Sequence, residues 1–296
     1  MKITLKEKII YYFAKSLSLL SIQRSHNIGG FIGKLLYKFP NKIKFITNIN
    51  LKKCFPNNSK EQHEKLLKET LIQTGKSFFE SPALWFADIC KIRASITNII
   101  GEDELEQEYK KGKGIIVIIP HFGAWEMLSL VISHKYPTTT LYKPLKLKGL
   151  EEKIVNARSR LGNTLVPTTP QGVKKVYAAL KNGEIIAILA DQDPGEYGGV
   201  FSNFYGVPAL TTTLVSKLAQ KTHAPVFKLL AKRVDTGFEI IWEKANEPID
   251  NEDLQKSVDA LNQAMENCIN HDITQYQWSY KKFKTRPEGE TGFYNK

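Results

Sequence analysis

Residues 112–123 read GKGIIVIIPHFG, and this stretch restricts the fold more than any other. Ile115 to Ile119 is an unbroken β-branched and apolar run, the pattern of a strand buried on both faces. Such a strand needs a partner on each edge and a layer of structure above and below. Further strand candidates are Thr140–Tyr142, Thr164–Val166, Ile185–Leu189, Val226–Leu230 and Glu239–Trp242. Helical periodicity fills the gaps near 124–134, 148–161, 171–181 and 209–222, and another helix is expected over 251–270. Upstream, Leu66, Leu67, Thr70, Leu71, Thr74 and Phe78 recur at three- and four-residue steps, with a helix start at Asn58 or Ser59. Alternating strands and helices predict an α/β fold, one sheet covered by helices, in a single domain over 54–296.

The end of the apolar strand is the candidate site. Ligand sites in α/β sheets favour the carboxyl ends of strands, and here the chain leaves the sheet as Pro120-His121-Phe122-Gly123-Ala124-Trp125-Glu126. His121 and Glu126 are five residues apart, and a fold-back over the turn can bring the carboxylate to the ring. A carboxylate that accepts one ring N–H leaves the other nitrogen to take a proton from a hydroxyl. That is the base and orienter of a triad without a protein nucleophile. The chain has no GxSxG, consistent with direct transfer onto a hydroxyl.

The charge is unevenly placed. The formal net charge is +12, yet residues 1–53 hold eleven basic residues and one acid, Glu7, while the rest holds 31 basic and 29 acidic. This basic leader is also apolar, reading IIYYFAKSLSLLSI over 9–22 and IGGFIGKLLYKF over 28–39. Neither run reaches the roughly 20 residues of a membrane span, and neither ends in a cleavage site. The composition fits helices on an anionic membrane surface with lysines reaching phosphates. An amphipathic helix packed on the domain and a short tilted span are the alternatives.

Other motifs are weaker. Arg158 and Arg160 sit in a basic helical segment, either solvated or in contact with phosphate or sugar. Asp191 and Asp193 follow the run Ile185–Ala190 in a Pro-Gly turn. They fit local capping and sugar hydrogen bonding better than metal ligation, and no metal or other cofactor is expected. Cys54, Cys90 and Cys268 form no CxxC pair, so no disulfide framework or zinc knuckle is indicated. Gly75-Lys76-Ser77 imitates the end of a phosphate loop, but Thr70 stands where the motif needs glycine. His26, His63, His134, His223 and His271 lack a partner pattern and read as incidental. Lys281, Lys282, Lys284 and Arg286 interleave with Tyr280 and Phe283. Beside an apolar basic leader they fit lipid phosphate or an acidic protein better than nucleic acid.

PHFGAWE resembles the His-x4-Asp/Glu block of glycerolipid acyltransferases, in the branch that adds the late, secondary acyl chains of lipid A. The resemblance extends over Asn48-x-Asn50-Leu51-x-x-Cys54-Phe55-Pro56, Ser77-Phe78-Phe79-Glu80 with Trp85, Arg158-Ser159-Arg160 and Asp191-Gln192-Asp193-Pro194-Gly195. It continues through Phe204-Tyr205-Gly206-Val207-Pro208-Ala209, Gln277-Trp278 and Lys284-Thr285-Arg286-Pro287-Glu288-Gly289. Tyr142-Lys143-Pro144 departs from the family's Tyr-Arg-Pro and loses a guanidinium fork. The resemblance implies a central mixed sheet covered by helices, and transfer of an acyl chain from acyl-carrier protein to a hydroxyl of a lipid A precursor. The same chemistry on a lysophospholipid or another glycolipid is the alternative. In that reading His121 is the general base and Glu126 its orienter, with Gly123 backbone N–H or an arginine of 158 and 160 on the oxyanion. Arg158, Arg160, Asp191, Asp193 and Gly123 are the substrate-binding candidates. The implied location is the inner membrane of a Gram-negative cell, with the catalytic domain facing the cytoplasm.

Overall fold

The structure is a computed structural model that describes residues 4–145, 147–195 and 198–294. The first three residues of the basic leader lie outside the described residues. Three helices open the chain, α1 (Leu5–Leu17), α2 (Ile22–Lys38) and α3 (Lys42–Cys54). They start on side-chain caps at Thr4, Ser21 and Asn41, each accepting a backbone N–H of the first turn. The long α4 (Lys60–Phe86) begins with a capping box between Ser59 and Gln62. Its Gly75 faces Gly29 of α2 so closely that a Cβ on Gly29 would sit 2.5 Å from the Gly75 carbonyl oxygen. The glycines of the apolar leader run are therefore the contact face of a helix pair.

After α5 (Ile89–Ala94) come β1 (Ile96–Ile100), α6 (Glu102–Tyr109), β2 (Ile115–Ile118), a 3-10 turn (Trp125–Met127) and α7 (Leu128–Ser133). Next are β3 (Thr138–Tyr142), α8 (Lys148–Arg158), β4 (Thr164–Pro167), α9 (Pro170–Lys181), β5 (Ile185–Ile188), β6 (Gly199–Phe204) and β7 (Val207–Thr212). The chain ends with α10 (Leu214–Thr222), β8 (Val226–Val234), β9 (Gly237–Lys244), α11 (Leu254–Ile269) and a 3-10 turn at Ile273–Gln275. Among the described residues, seven strands form one mixed sheet in the order β1-β9-β8-β2-β5-β3-β4. β8, β2, β5, β3 and β4 run parallel, and β9 returns antiparallel to β8.

β2 is buried along its whole length, and its side chains alternate between two cores. Ile116 and Ile118 pack with Ile186, Ile188, α9, α10 and α11 on one face. Ile115, Val117 and Ile119 pack with Ile185, Leu128 and Leu105 on the other. α4 reaches both, with Leu67 and Leu71 in the first and Leu84 in the second.

The strand expected over 115–119 and its five companions are present. β1 and the antiparallel β6–β7 hairpin were not expected from the sequence, and the segment read as helix over 209–222 begins as β7. The hairpin turns on Tyr205 and Gly206, both at positive φ, as two-residue turns demand. The Tyr205 N–H, at 2.6 Å from Glu266 Oε1, helps hold a conformation that a non-glycine residue rarely adopts.

No helix among the described residues is long and apolar enough to cross a membrane. α1 nevertheless leaves Leu5, Ile9, Tyr12 and Phe13 exposed along one face, and Leu19, Ile28, Phe31, Phe39 and Phe78 are exposed nearby in sequence or on its neighbouring helices.

Candidate active site

β2 and β5 pair in register, Ile118 opposite Ile188. Three residues beyond each lie His121 and Asp191, and the shared register brings them together at the carboxyl edge of the sheet. The His121 ring Nδ1 is 2.7 Å from Asp191 Oδ1, and the His121 backbone N–H donates to Asp191 Oδ2 at 3.0 Å. One carboxylate thus holds both the ring and the backbone of the same residue. The Asp191 side chain is 1% exposed and that of His121 12%, so the pair is desolvated on one side and reachable on the other.

Burial alone would raise the Asp191 carboxyl. Its pairing with the His121 ring, the hydrogen bonds from that residue's ring and backbone N–H, and nearby Lys282 hold it below the usual carboxylate range instead. Lys282 lies beneath, its Nζ donating to the Asp191 carbonyl oxygen at 2.7 Å. Burial pushes this amine down to about 8. The Tyr276 hydroxyl also faces Asp191 and is shifted well upward, first by burial and then by the carboxylate.

With the ionised Asp191 accepting from Nδ1–H, Nε2 presents its lone pair outward. The Gln192 amide nitrogen lies 3.2 Å from it, and Trp125 meets the ring edge-on at 4.7 Å between centroids.

Glu126 does not orient His121. Its carboxylate accepts a fork from Arg158, Nε to Oε2 at 2.9 Å and Nη2 to Oε1 at 2.7 Å. The physical reason is local. Residues 125–127 wind as a 3-10 turn that buries Glu126 against α8, while Asp191 and Gln192 already occupy both ring nitrogens. Glu126 reaches the imidazole only through its neighbours, since Arg158 stacks on Trp125 at 5.4 Å and Trp125 borders the ring. Arg158 Nη1 has no partner among the described residues.

The other sequence candidates separate. Arg160 donates to the carbonyls of Leu84 and Ala87 at 2.9 and 2.6 Å, and to Ala157. It thereby caps the end of α4 and holds it to α8. The Gly123 N–H donates to the Gln275 carbonyl at 3.0 Å and the next amide, Ala124, to Ala231 at 2.8 Å. Neither has a proton left for an oxyanion. Asp193 closes the turn by accepting the Gly195 N–H at 2.7 Å, the local role read from its Pro-Gly setting. Asp191, read the same way, is instead the partner of His121.

Sequence reading missed Asp191, Gln192 and Trp125 as neighbours of the ring, and Lys282 beneath Asp191. The available signal was their position. Asp191 follows its strand by the same interval as His121 follows β2, which matters once the two strands are known to be adjacent. Among the described residues no cluster of three His, Cys, Asp or Glu could hold a metal. Burial pushes the thiols of Cys54 and Cys268 up, so neither is a ready nucleophile.

A separate cleft of about 730 Å³ opens where α3 meets α4 and the C-terminal segment. Lys38, Lys42, Lys44, Lys52 and Lys281 line it against a single acid, Glu64.

The family model of bacterial lipid A biosynthesis acyltransferases matches residues 6–285. The chain is 27% identical over 271 residues to the lipid A biosynthesis palmitoleoyltransferase of Escherichia coli K12, covering 90% of this chain and 87% of that protein. It is 26% identical over 269 residues to the lauroyltransferase of the same organism, covering 89% and 86%. A phosphatidylinositol mannoside acyltransferase of Mycobacterium tuberculosis is 26% identical over 140 residues, 45% of this chain and 44% of that protein.

Proposed function

Because the chain belongs to the bacterial lipid A biosynthesis acyltransferase family and is an acyltransferase, we propose that it moves a fatty acyl chain from acyl-carrier protein to a hydroxyl of a lipid A precursor. The His121–Asp191 contact carries the mechanistic reading. Asp191 fixes the tautomer, and Nε2 takes the proton of the acceptor hydroxyl as its oxygen attacks the thioester carbonyl carbon. The new C–O bond forms, the C–S bond breaks, and His121 returns the proton to the departing thiolate. A thioester is already activated, so positioning and one base suffice and no covalent enzyme intermediate is required. The acceptor hydroxyl displaces the Gln192 amide from Nε2. The unpartnered donors of Arg158 and the Gln192 amide are the candidates for the oxyanion, since Gln192 lies against the ring, Arg158 stacks on the Trp125 that borders it, and the Gly123 amide is engaged.

The leader and the basic cleft extend the reading to partners. The apolar face of α1, Leu5, Ile9, Tyr12 and Phe13, with Lys6, Lys8 and Lys15 exposed on the same helix, suits an anionic bilayer surface. This supports a location on the inner membrane, with the catalytic domain on the cytoplasmic side. The lysine-lined cleft suits an acidic carrier, whose encounter added salt would slow.

The same chemistry on another glycolipid is the second reading, favoured by the partial likeness to a phosphatidylinositol mannoside acyltransferase. The test uses purified protein, acyl-carrier thioester, and in turn a lipid A precursor, a lysophospholipid and a mannosylated phosphatidylinositol, with products followed by mass spectrometry. Acylation of the lipid A precursor is expected. Transfer to either of the other acceptors alone defeats the lipid A reading.

A further inference from the structure

The turn that carries His121 is held by one buried side chain that no part of the proposed mechanism uses. Arg233, at the end of β8, donates from Nη2 to the Gly123 carbonyl oxygen at 2.7 Å. Its backbone N–H and carbonyl clasp the Gln275 side-chain amide, at 2.8 and 2.9 Å. The Gln275 carbonyl in turn accepts the Gly123 N–H. Both sides of Gly123 are therefore tied to Arg233, one directly and one through Gln275. Gly123 is at φ +56, and a Cβ there would collide with the Ala231 carbonyl oxygen, so the turn lies directly against β8.

The guanidinium charge is met by Glu80 of α4, which accepts from Nε at 2.8 Å and Nη2 at 2.7 Å. Glu80 Oε2 also lies 2.7 Å from His26 Nε2 on α2. All three are buried, with side chains at most 6% exposed. A buried ion pair of this kind is weak evidence for stability and better evidence for a specified geometry. His26, read from sequence as incidental, is the leader's link in this chain.

We propose that Arg233 is a positioning residue for His121, and that Glu80 and His26 make its hold on the Gly123 turn depend on α2 being docked. The inference rests on the reading of His121 as the base. α2 leaves Ile28 and Phe31 exposed on its far side, so the helix that holds the turn also offers apolar residues to a membrane surface. Loosening the Gly123 carbonyl lets the His121 ring shift relative to the acceptor. A misplacement of ~1 Å at a reacting centre can cost ~100-fold in rate.

The test compares Arg233→Lys, His26→Phe and His26→Gln in the full-length protein. Arg233→Lys keeps the charge but cannot span Glu80 and Gly123 with a fork. His26→Phe keeps the bulk and loses the donor, and His26→Gln restores a donor. Expected values, per folded molecule, are a kcat lowered ~10- to 100-fold for Arg233→Lys and ~3- to 10-fold for His26→Phe, with KM within about twofold. His26→Gln recovers most of the loss. Hydrogen exchange supplies a readout independent of the acceptor. Protection across 120–127 is expected to fall at least ~10-fold in Arg233→Lys and His26→Phe while that of 115–118 is kept. Equal loss in both segments, or none across 120–127, overturns the inference. A wild-type protein that transfers no acyl chain instead overturns the proposed function, and exchange alone then decides this point. If Arg233→Lys does not fold, the His26 pair decides it.

Discussion

Asp191→Asn is the perturbation that most sharply tests the site. The carboxylate accepts from the His121 ring Nδ1 at 2.7 Å and from the His121 backbone N–H at 3.0 Å. An asparagine offers one oxygen for these two donors. If that oxygen keeps the backbone N–H, the amide NH2 faces Nδ1, and the ring must shed its Nδ1 proton and carry it on Nε2. The base then presents a proton where the acceptor hydroxyl needs a lone pair. Wrong-tautomer substitutions of this kind lower kcat by ~10⁴ in hydrolase triads, about 5.5 kcal/mol of transition-state free energy. A drop of ~10³ to 10⁴ is expected here, with KM for the acceptor changed little. The assay is steady-state transfer from acyl-carrier thioester to the acceptor across pH, with circular dichroism to establish that the variant is folded. A kcat within about threefold of wild type refutes the assignment of Asp191 as the orienter.

Glu126→Gln should act through Arg158 instead, lowering stability by about 2–4 kcal/mol in urea unfolding, because a largely buried guanidinium is left unpaired. The double variant Glu126→Gln with Arg158→Leu should recover much of that stability without recovering activity. Gly29→Ala should destabilise by about 1–3 kcal/mol in chemical denaturation, since its Cβ meets Gly75 at 2.5 Å. Gly30→Ala, one residue on, meets only the Lys76 and Ile72 side chains at 3.7 and 3.8 Å and should be neutral or stabilising by up to ~1 kcal/mol. The Lys282 amine is at about 8 when folded and ~10.4 when unfolded, so the unfolded chain binds the extra proton between those values. Its burial penalty is full below pH 8 and is relieved as pH rises through that window, by about 3 kcal/mol. Denaturation curves at several pH values should show Lys282→Met lacking this rise. Phe13→Glu with Phe31→Glu should weaken sedimentation with anionic vesicles at least ~10-fold, and raised salt should weaken wild-type binding.

Much of the frame was legible locally. The run Ile115–Ile119 announced a strand buried on both faces, and Pro120, His121 and Gly123 marked its functional end, because burial and turn formation are properties of neighbouring residues. The same logic found the strands at 140, 164, 185, 226 and 239. It missed β1, whose Ile99 and Ile100 stay exposed at the sheet edge, and the β6–β7 hairpin, where half the positions face outward.

Two assignments lay beyond local reading. Nearness in sequence favoured Glu126 as the partner of His121, yet that carboxylate turns toward Arg158 and the ring is held by Asp191, 70 residues on. His26 and Glu80 are 54 residues apart, and Arg233 lies 153 beyond Glu80. The sequence by itself determined which segments had to be buried, where His121 would emerge from the sheet, and that the positive charge is concentrated in an apolar leader. Strand order and register decided which carboxylate meets the histidine, and helix packing decided which of its candidate arginines faces the site. Burial depends mainly on a residue's own chemistry, whereas a hydrogen bond needs its partner within about 3 Å, and only the folded chain sets that distance.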